Sequence, residues 1–101
     1  MIRHMVMFQF KEEAEGRTRA ENAALIREML DALPGTIPWI RASHTALNAP
    51  GAAADNYDLV LVADFDTLED LERYQVHPAH QAVGARMRPL RLSRACVDFE
   101  L

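Results

Sequence analysis

The sequence contains a single cysteine, Cys96, so no disulfide can form within the chain. A lone cysteine is typical of a reducing compartment, and we expect a cytoplasmic protein. Basic residues number 11 against 15 acidic ones, and the resulting net charge of −4 argues against nucleic acid as a partner. The first ten residues, MIRHMVMFQF, alternate like a strand. We therefore expect neither a signal peptide nor a membrane span.

The motifs of cofactor-dependent chemistry are also missing. The chain has no glycine-rich phosphate loop, no paired-carboxylate motif and no nucleophile elbow, so we predict no nucleotide, nicotinamide or flavin cofactor. His77 and His80 are three residues apart, but Pro78 between them disturbs helical geometry. A zinc site needs three or four organised ligands, and even with Asp98 as a third ligand nothing in the spacing demands one. We predict no metal.

The order of the predicted elements points to one α+β domain over residues 1–101. Strand-like stretches occupy 2–10, 37–47, 57–65 and 94–100. A capping box, Thr18 with Glu21, begins a helix that ends before Pro34. A second helix begins at Thr67, is interrupted by Pro78 and resumes over 79–90. The order β-α-β-β-α-β predicts a ferredoxin-like fold, a four-stranded antiparallel sheet with helices on one face.

The apolar pattern of the strands predicts a homodimer. Helices cover one face of such a sheet, yet strands 2–10 and 57–65 carry large apolar residues on both faces. In the first strand, Met5 and Met7 alternate with Val6 and Phe8. A monomer would expose an apolar patch, which a second copy packed sheet to sheet would cover. A monomer with scattered surface methionines is the alternative.

The sequence resembles the stress-responsive alpha/beta-barrel (Dabb) family. The segments that carry the resemblance are IRHMVMFQFK, YDLVLVADFDTLEDLERYQVHPAH and CVDFE, which frame nearly the whole chain. The most specific feature is a tyrosine followed by H-P-x-H in the second helix. The resemblance implies two ferredoxin-like units that pair as a dimeric α/β barrel. The family includes small plant stress proteins, a plant polyketide cyclase and many bacterial members without assigned chemistry.

The resemblance also implies a site. In the cyclase branch, the tyrosine and the second histidine of the motif form an acid/base pair, and by position these are Tyr74 and His80. Such a pair suits an aldol-type reaction, in which a base removes a proton next to a carbonyl and a donor stabilises the enolate. The residues expected to line a substrate pocket beside this pair are His4, Val6, Phe8 and His77.

We therefore expect a small-molecule-binding protein that acts as a cofactor-independent cyclase or lyase on a polyketide-like or other carbonyl substrate. The alternative is a non-enzymatic stress-associated dimer, in which Tyr74 packs in the core and His80 bonds to the backbone to secure the helix break. A cofactor-free monooxygenase is a remote third interpretation. His77 precedes the proline, and besides a place in the pocket it can cap the break.

Two further features allow more than one interpretation. Cys96 is expected to be a small buried hydrophobe. Arg86, Arg88, Arg91 and Arg94 form a basic run in an acidic chain. Solvated arginines near a helix end are the usual explanation for such a run. An anionic ligand, such as a carboxylate or a carrier-bound acyl group, is the functional alternative.

Overall fold

A computed structural model that describes residues 1–101 shows a four-stranded antiparallel sheet with three helices on one side. In chain order, the strands are β1 (Ile2–Phe10), β2 (Glu13–Ala14), β3 (Arg17–Thr18), β4 (Ala42–Leu47), β5 (Leu59–Phe65) and β6 (Arg91–Glu100). The helices are α1 (Arg19–Ala32), α2 (Leu68–Val76) and α3 (Pro78–Met87). The strand order is β4-β5-β1-β6, and β2 pairs with β3 in a separate hairpin. The predicted ferredoxin-like α+β fold is confirmed, with the second predicted helix divided in two.

Strand β1 is one of the two central strands of the sheet, and its side chains alternate between the two faces. Its even-numbered residues, from Ile2 to Phe10, are buried against the helices. Its odd-numbered residues point to the other side, and there Met5 pairs with Val62 and Val97 of the neighbouring strands. The two-sided apolar pattern of the sequence is therefore real, and it gives the sheet one covered face and one open face.

The start of α1 follows the predicted capping box. The Thr18 hydroxyl accepts a hydrogen bond from the Glu21 backbone N–H at 3.2 Å. The Glu21 carboxylate in turn accepts one from the Thr18 N–H at 2.9 Å. Both bonds satisfy N–H groups that have no partner inside the helix. The helix ends in a single 3₁₀ turn over Leu33–Gly35, at the predicted proline and glycine.

The predicted strand 37–47 is shorter than expected and begins only at Ala42. Residues 37–41 form a packed connection instead. Ile37 is buried in the core, and the Trp39 indole N–H donates to the Asp70 carbonyl at 3.1 Å. Pro38 has no N–H to contribute to a strand ladder, which explains why pairing starts after it.

Other elements also differ from the sequence predictions: the strand predicted over 57–65 begins at Leu59, and the helical segment predicted over 79–90 spans Pro78–Met87. The polar segment after β1 forms the β2–β3 hairpin, because Glu15 (φ 54°) and Gly16 (φ 76°) adopt the two positive φ angles of a tight hairpin turn. The last strand begins at Arg91 rather than at residue 94. The register of β1 with β6 shifts between Gln9 and Phe10, which marks a β-bulge at that point.

The break between α2 and α3 forms at Pro78, as the sequence predicts. His77 has an extended backbone (ψ 137°), and its Nδ1 accepts a hydrogen bond from the Ala79 N–H at 3.0 Å. In an uninterrupted helix that N–H would bond to the Gln75 carbonyl four residues earlier. The break therefore leaves the Gln75 carbonyl available to another donor.

The open face of the sheet is apolar over most of its area. Met7, Val97 and Phe99 are among the exposed large hydrophobic residues of the chain. Near the end of this face Arg3 and Asp64 form a two-pronged ion pair, with N–O distances of 2.9 and 3.0 Å. None of the helices combines the length and the apolarity that crossing a membrane requires.

The His77 cap gives a prediction about stability. Replacing His77 with Ala should lower the free energy of unfolding by about 1 kcal/mol, the usual cost of losing an N-cap side chain. His77→Asn should recover most of this loss, because an asparagine oxygen can accept the same bond. Urea denaturation followed by circular dichroism measures both changes. Equal losses in the two variants would contradict the cap and assign the effect to packing on Trp39.

Candidate functional site

The first site residue, His4, lies on the covered face of β1 and is 2% exposed. The strand register places it opposite Asp98 of β6, and its Nδ1 lies 2.5 Å from Asp98 Oδ1. Because a carboxylate can only accept, Nδ1 carries the proton, and Nε2 is left as an acceptor while the ring is neutral. Every enclosed side-chain nitrogen or oxygen of the chain has a hydrogen-bond partner. His4 Nε2 makes no hydrogen bond, so this atom is not enclosed by the protein and borders open space.

His80 is anchored in the same way by a different acceptor. Its Nδ1 lies 3.0 Å from the Gln75 carbonyl that the helix break leaves available. A carbonyl also only accepts, so Nδ1 again carries the proton and Nε2 is the remaining acceptor. Burial lowers the pKa of His80 below its usual value, and this outweighs the opposite effect of the bond to Gln75. Positive charge on Arg94 acts in the same direction as burial.

Tyr74 packs behind the two imidazoles and is 1% exposed. Its ring centroid lies 4.5 Å from that of His80, 5.0 Å from Phe65 and 6.3 Å from His4. Burial raises the pKa of the Tyr74 hydroxyl above its usual range, so the group stays protonated and cannot act as a base. Tyr74 is thus next to His80, as the resemblance implies, but it does not line the cavity described next.

A cavity of about 70 Å³ lies between β1, β6 and α3. The residues that line it are His4, Val6, Phe8, Leu30, Leu61, His80, Val83, Gly84, Met87, Arg91 and Arg94. Sites for drug-sized ligands occupy roughly 300–1,000 Å³, whereas one water takes about 30 Å³ of liquid. The cavity therefore accepts a very small compound or one end of a larger one. Three residues expected from the resemblance, His4, Val6 and Phe8, do line it.

The structure does not bring His77 to this cavity. Its Nδ1 is occupied by the cap of α3, and its ring packs against Trp39 with 5.8 Å between centroids. The expected pocket-lining role therefore has no support in the geometry, whereas the capping role does. The reason is the extended backbone of His77, which directs the side chain back to the helix end.

Cys96 is exposed, which corrects the expectation that it is buried. It lies on the edge strand β6, on the same side as Asp98, and its Sγ is 3.5 Å from His4 Nδ1 and 3.6 Å from Asp98 Oδ1. Partial burial and the negative charge of Asp98 raise the pKa of the thiol. A thiolate is therefore disfavoured, and Cys96 is a poor nucleophile here.

His4, Cys96 and Asp98 are also the group that could offer three ligands to a metal, since their ligand atoms lie within 4.8 Å of one another. This trio differs from the one considered from the sequence, which contained His77 and His80. A metal would have to displace the Nδ1 proton of His4, and with it the bond to Asp98. The alternation of β6 could have indicated that Asp98 and Cys96 share a face. Their contact with His4 depends on the strand register, which the sequence does not reveal.

Comparisons with known proteins agree with this fold. The sequence matches the stress responsive A/B barrel domain family (Dabb) over residues 2–101. No curated protein is significantly similar to the chain in sequence. A dimeric protein of unknown function and ferredoxin-like fold from Bacteroides fragilis NCTC 9343 is 30% identical, with a TM-score of 0.82 over 99% of this chain and 95% of its own.

Two other solved structures are informative. A dimeric ferredoxin-like protein of unknown function from Thermobifida fusca YX is 32% identical, with a TM-score of 0.82 over 99% of this chain and 90% of its own. A hydroxynitrile lyase from Passiflora edulis has a TM-score of 0.78 over 97% of this chain and 90% of its own. The lyase is 14% identical, so this likeness concerns the fold alone. The family match, which spans nearly the whole chain, establishes that the chain belongs to the stress-responsive A/B barrel domain (Dabb) family.

Proposed function

We propose that this protein is a cofactor-independent enzyme in which His80 acts as a general base on a small carbonyl compound. The observation that carries the proposal is the shared cavity of two imidazoles. His4 and His80 each hold their Nδ1 proton against a protein acceptor, and both line one enclosed, mostly apolar space. A neutral imidazole is a suitable base near pH 7.

The reaction begins with transfer of a proton to His80 Nε2, either from the carbon next to a carbonyl or from a hydroxyl group. His4 supplies a second ring nitrogen to the same space. The Asp98 carboxylate behind it holds the ring in one tautomer and stabilises positive charge on it, as carboxylates do in other histidine-based sites. Since the cavity is small and largely apolar, the positive charge on a protonated ring and the negative charge on the substrate interact strongly there.

Tyr74 takes a positioning role in this proposal. The resemblance implies a donor that acts on the substrate, but Tyr74 does not line the cavity. It packs against the His80 ring at 4.5 Å between centroids, which keeps that ring in one orientation. A hydroxynitrile lyase shares this fold, so the fold can carry a lyase activity.

A non-enzymatic dimer is the second candidate, and one observation favours it. Tyr74 is fully packed in the core, and His80 bonds to a backbone carbonyl at the helix break. Both features would be expected if the motif served only to stabilise the break. The two candidates differ in whether the free Nε2 of His80 does chemistry.

In either case we propose that the chain forms a homodimer through the open face of its sheet. Val97 on this face is 55% exposed, and Met7 beside it is 40% exposed. A soluble domain rarely leaves such a patch uncovered. The relatives from Bacteroides fragilis and Thermobifida fusca, which share about a third of the sequence, are both described as dimeric.

The role of His80 can be tested without knowing the substrate. Wild-type protein should accelerate the exchange of methyl protons for deuterium in acetone or pyruvate, because removal of such a proton is the proposed step. His80→Gln should slow this exchange at least about 100-fold, the lower end of the usual contribution of a general base. Proton NMR in D2O measures the rates.

The glutamine variant keeps an amide N–H for the Gln75 carbonyl, so its thermal stability should stay close to that of the wild type. Glu72→Gln, on the exposed side of α2, is the control and should exchange at the wild-type rate. Wild-type protein without any acceleration would favour the non-enzymatic candidate. An unchanged rate in His80→Gln would remove His80 from the role of base.

The dimer is tested by two matched valine substitutions. Val97→Glu on the open face should convert the protein to a monomer, since a buried carboxylate without a partner is strongly unfavourable. Val76→Glu should leave the dimer intact, because Val76 is 60% exposed but lies on α2, away from the open face. Analytical ultracentrifugation distinguishes the two masses. A wild-type monomer, or a Val97→Glu dimer, would contradict the proposed interface.

A further inference from the structure

The arginines of this chain divide into two groups. Seven of the ten form ion pairs with carboxylates of the same chain. The three that have no carboxylate partner are Arg88, Arg91 and Arg94, which lie close together in sequence at the end of α3 and the start of β6. The chain has more carboxylates than cationic side chains, and its net charge is −4. A shortage of carboxylates therefore does not explain why these three arginines have no partner.

These arginines gather around His80. Arg91 and Arg94 line the same cavity as His4 and His80. Arg88 lines a neighbouring surface depression that His80 also borders. Arg94 is exposed and Arg91 half-buried, so both arginines stand on the solvent side of the cavity, whose other lining residues are the two histidines and mostly apolar side chains.

The β-bulge explains how two of these arginines reach one place. In a regular strand, residues 91 and 94 would point to opposite faces, because side chains alternate. Here Arg94 pairs with Phe8, but the register shift makes Arg91 pair with Phe10 and leaves Leu92 as the extra residue. Since Phe8 and Phe10 both point to the covered face, the bulge turns Arg91 to the same side as Arg94. Bulges that redirect a side chain are common next to functional sites.

Positive charge on Arg94 at the entrance of this small cavity disfavours a charge on His80, and Arg91 brings a second cation to the same lining. Burial and Arg94 both lower the pKa of His80, which agrees with an uncompensated cation nearby. A bound anion would compensate this positive charge. The planar guanidinium group matches a carboxylate in a two-pronged geometry. The cavity behind the arginines, about 70 Å³, has room for little more than a carbonyl and a methyl group.

We propose that the substrate is a short-chain oxo acid, whose carboxylate is bound by Arg94 and Arg91 while its carbonyl end enters the cavity. This inference rests on the proposed function for the identity of the reacting group, but the binding of the carboxylate does not depend on catalysis. In this arrangement the carbon next to the carbonyl faces the ring nitrogens of His80 and His4. The proton that leaves this carbon passes to His80 Nε2, and the electron pair of the C–H bond forms the enolate.

A pair of probes of nearly the same shape tests the charge requirement. Pyruvate and its neutral amide, pyruvamide, are titrated into the ¹⁵N-labelled protein, and amide shifts report binding. Pyruvate should bind the wild type at least about tenfold more tightly than pyruvamide, since hydrogen bonds from a guanidinium group to a carboxylate are roughly twice as strong as those to a neutral acceptor. Arg94→Gln should remove that difference and leave pyruvamide binding unchanged. Arg41→Gln, which alters net charge equally at an arginine paired with Asp66, should bind pyruvate like the wild type.

Several results would overturn the inference. Among them are equal binding of pyruvate and pyruvamide, wild-type affinity in Arg94→Gln, and the absence of pyruvate binding. Inorganic phosphate is titrated in parallel, and tighter binding of phosphate than of pyruvate would overturn the assignment to a carboxylate.

The deuterium-exchange assay separates this inference from the proposed function. Pyruvate binding that depends on Arg94, in a protein that does not accelerate exchange, would leave the carboxylate site standing and reject the enzyme. Exchange that depends on His80 but proceeds equally in Arg94→Gln would support the enzyme and reject the carboxylate site.

Discussion

Two imidazole rings, one buried (His4) and one half-buried (His80), lie between the sheet and the helices, and the arrangement of the site follows from how their hydrogen bonds are satisfied. A buried polar group without a partner costs about 1–3 kcal/mol, so each ring must place at least one nitrogen against a protein acceptor. His4 uses the Asp98 carboxylate, and His80 uses the Gln75 carbonyl. Both acceptors receive a hydrogen bond from the Nδ1–H group. The same requirement that stabilises the rings in the fold therefore leaves the other nitrogen of each as the acceptor.

The helix break at Pro78 supplies the acceptor that His80 needs. Because the proline interrupts the helix, the Ala79 N–H bonds to the His77 side chain and not to the Gln75 carbonyl. That carbonyl then accepts from His80, one turn further along. The cap and the anchor of the imidazole are thus two consequences of a single helix break. A stability role and a chemical role for the H-P-x-H motif do not exclude each other, since the bond that secures the break also sets the tautomer of His80.

Much of the fold could be predicted from local patterns. The capping box at Thr18, the alternation of residues 2–10 and the break at Pro78 are local features whose physical causes lie within a few residues. The two apolar faces of the sheet also followed from alternation. The start of β4 was missed because Ile37 is held by packing in the core rather than by strand pairing. The β2–β3 hairpin was missed because Glu15 adopts a positive φ, which is unusual for a residue with a side chain.

The site was less predictable because it depends on strand register. His4 meets Asp98, which lies 94 residues further along the chain, through the pairing of the first and last strands. The exposure of Cys96 reflects the position of β6 at the edge of the sheet, which depends on topology. The bulge at Leu92 reverses the face on which Arg91 would otherwise lie. The resemblance correctly brought Tyr74 next to His80, but the small cavity and the place of Tyr74 behind the ring required the packed structure.

The tautomer and charge of His80 decide whether this residue can serve as a base. Long-range ¹H–¹⁵N correlation spectra of the ¹⁵N-labelled protein report the protonation of each ring nitrogen as a function of pH. We expect His80 to carry its proton on Nδ1 at neutral pH, with an unprotonated Nε2. Since burial lowers its pKa, the ring should gain a second proton only below the usual value of about 6.5. A proton on Nε2 at neutral pH, or a titration midpoint above that value, would contradict the proposal that His80 serves as a base in this cavity.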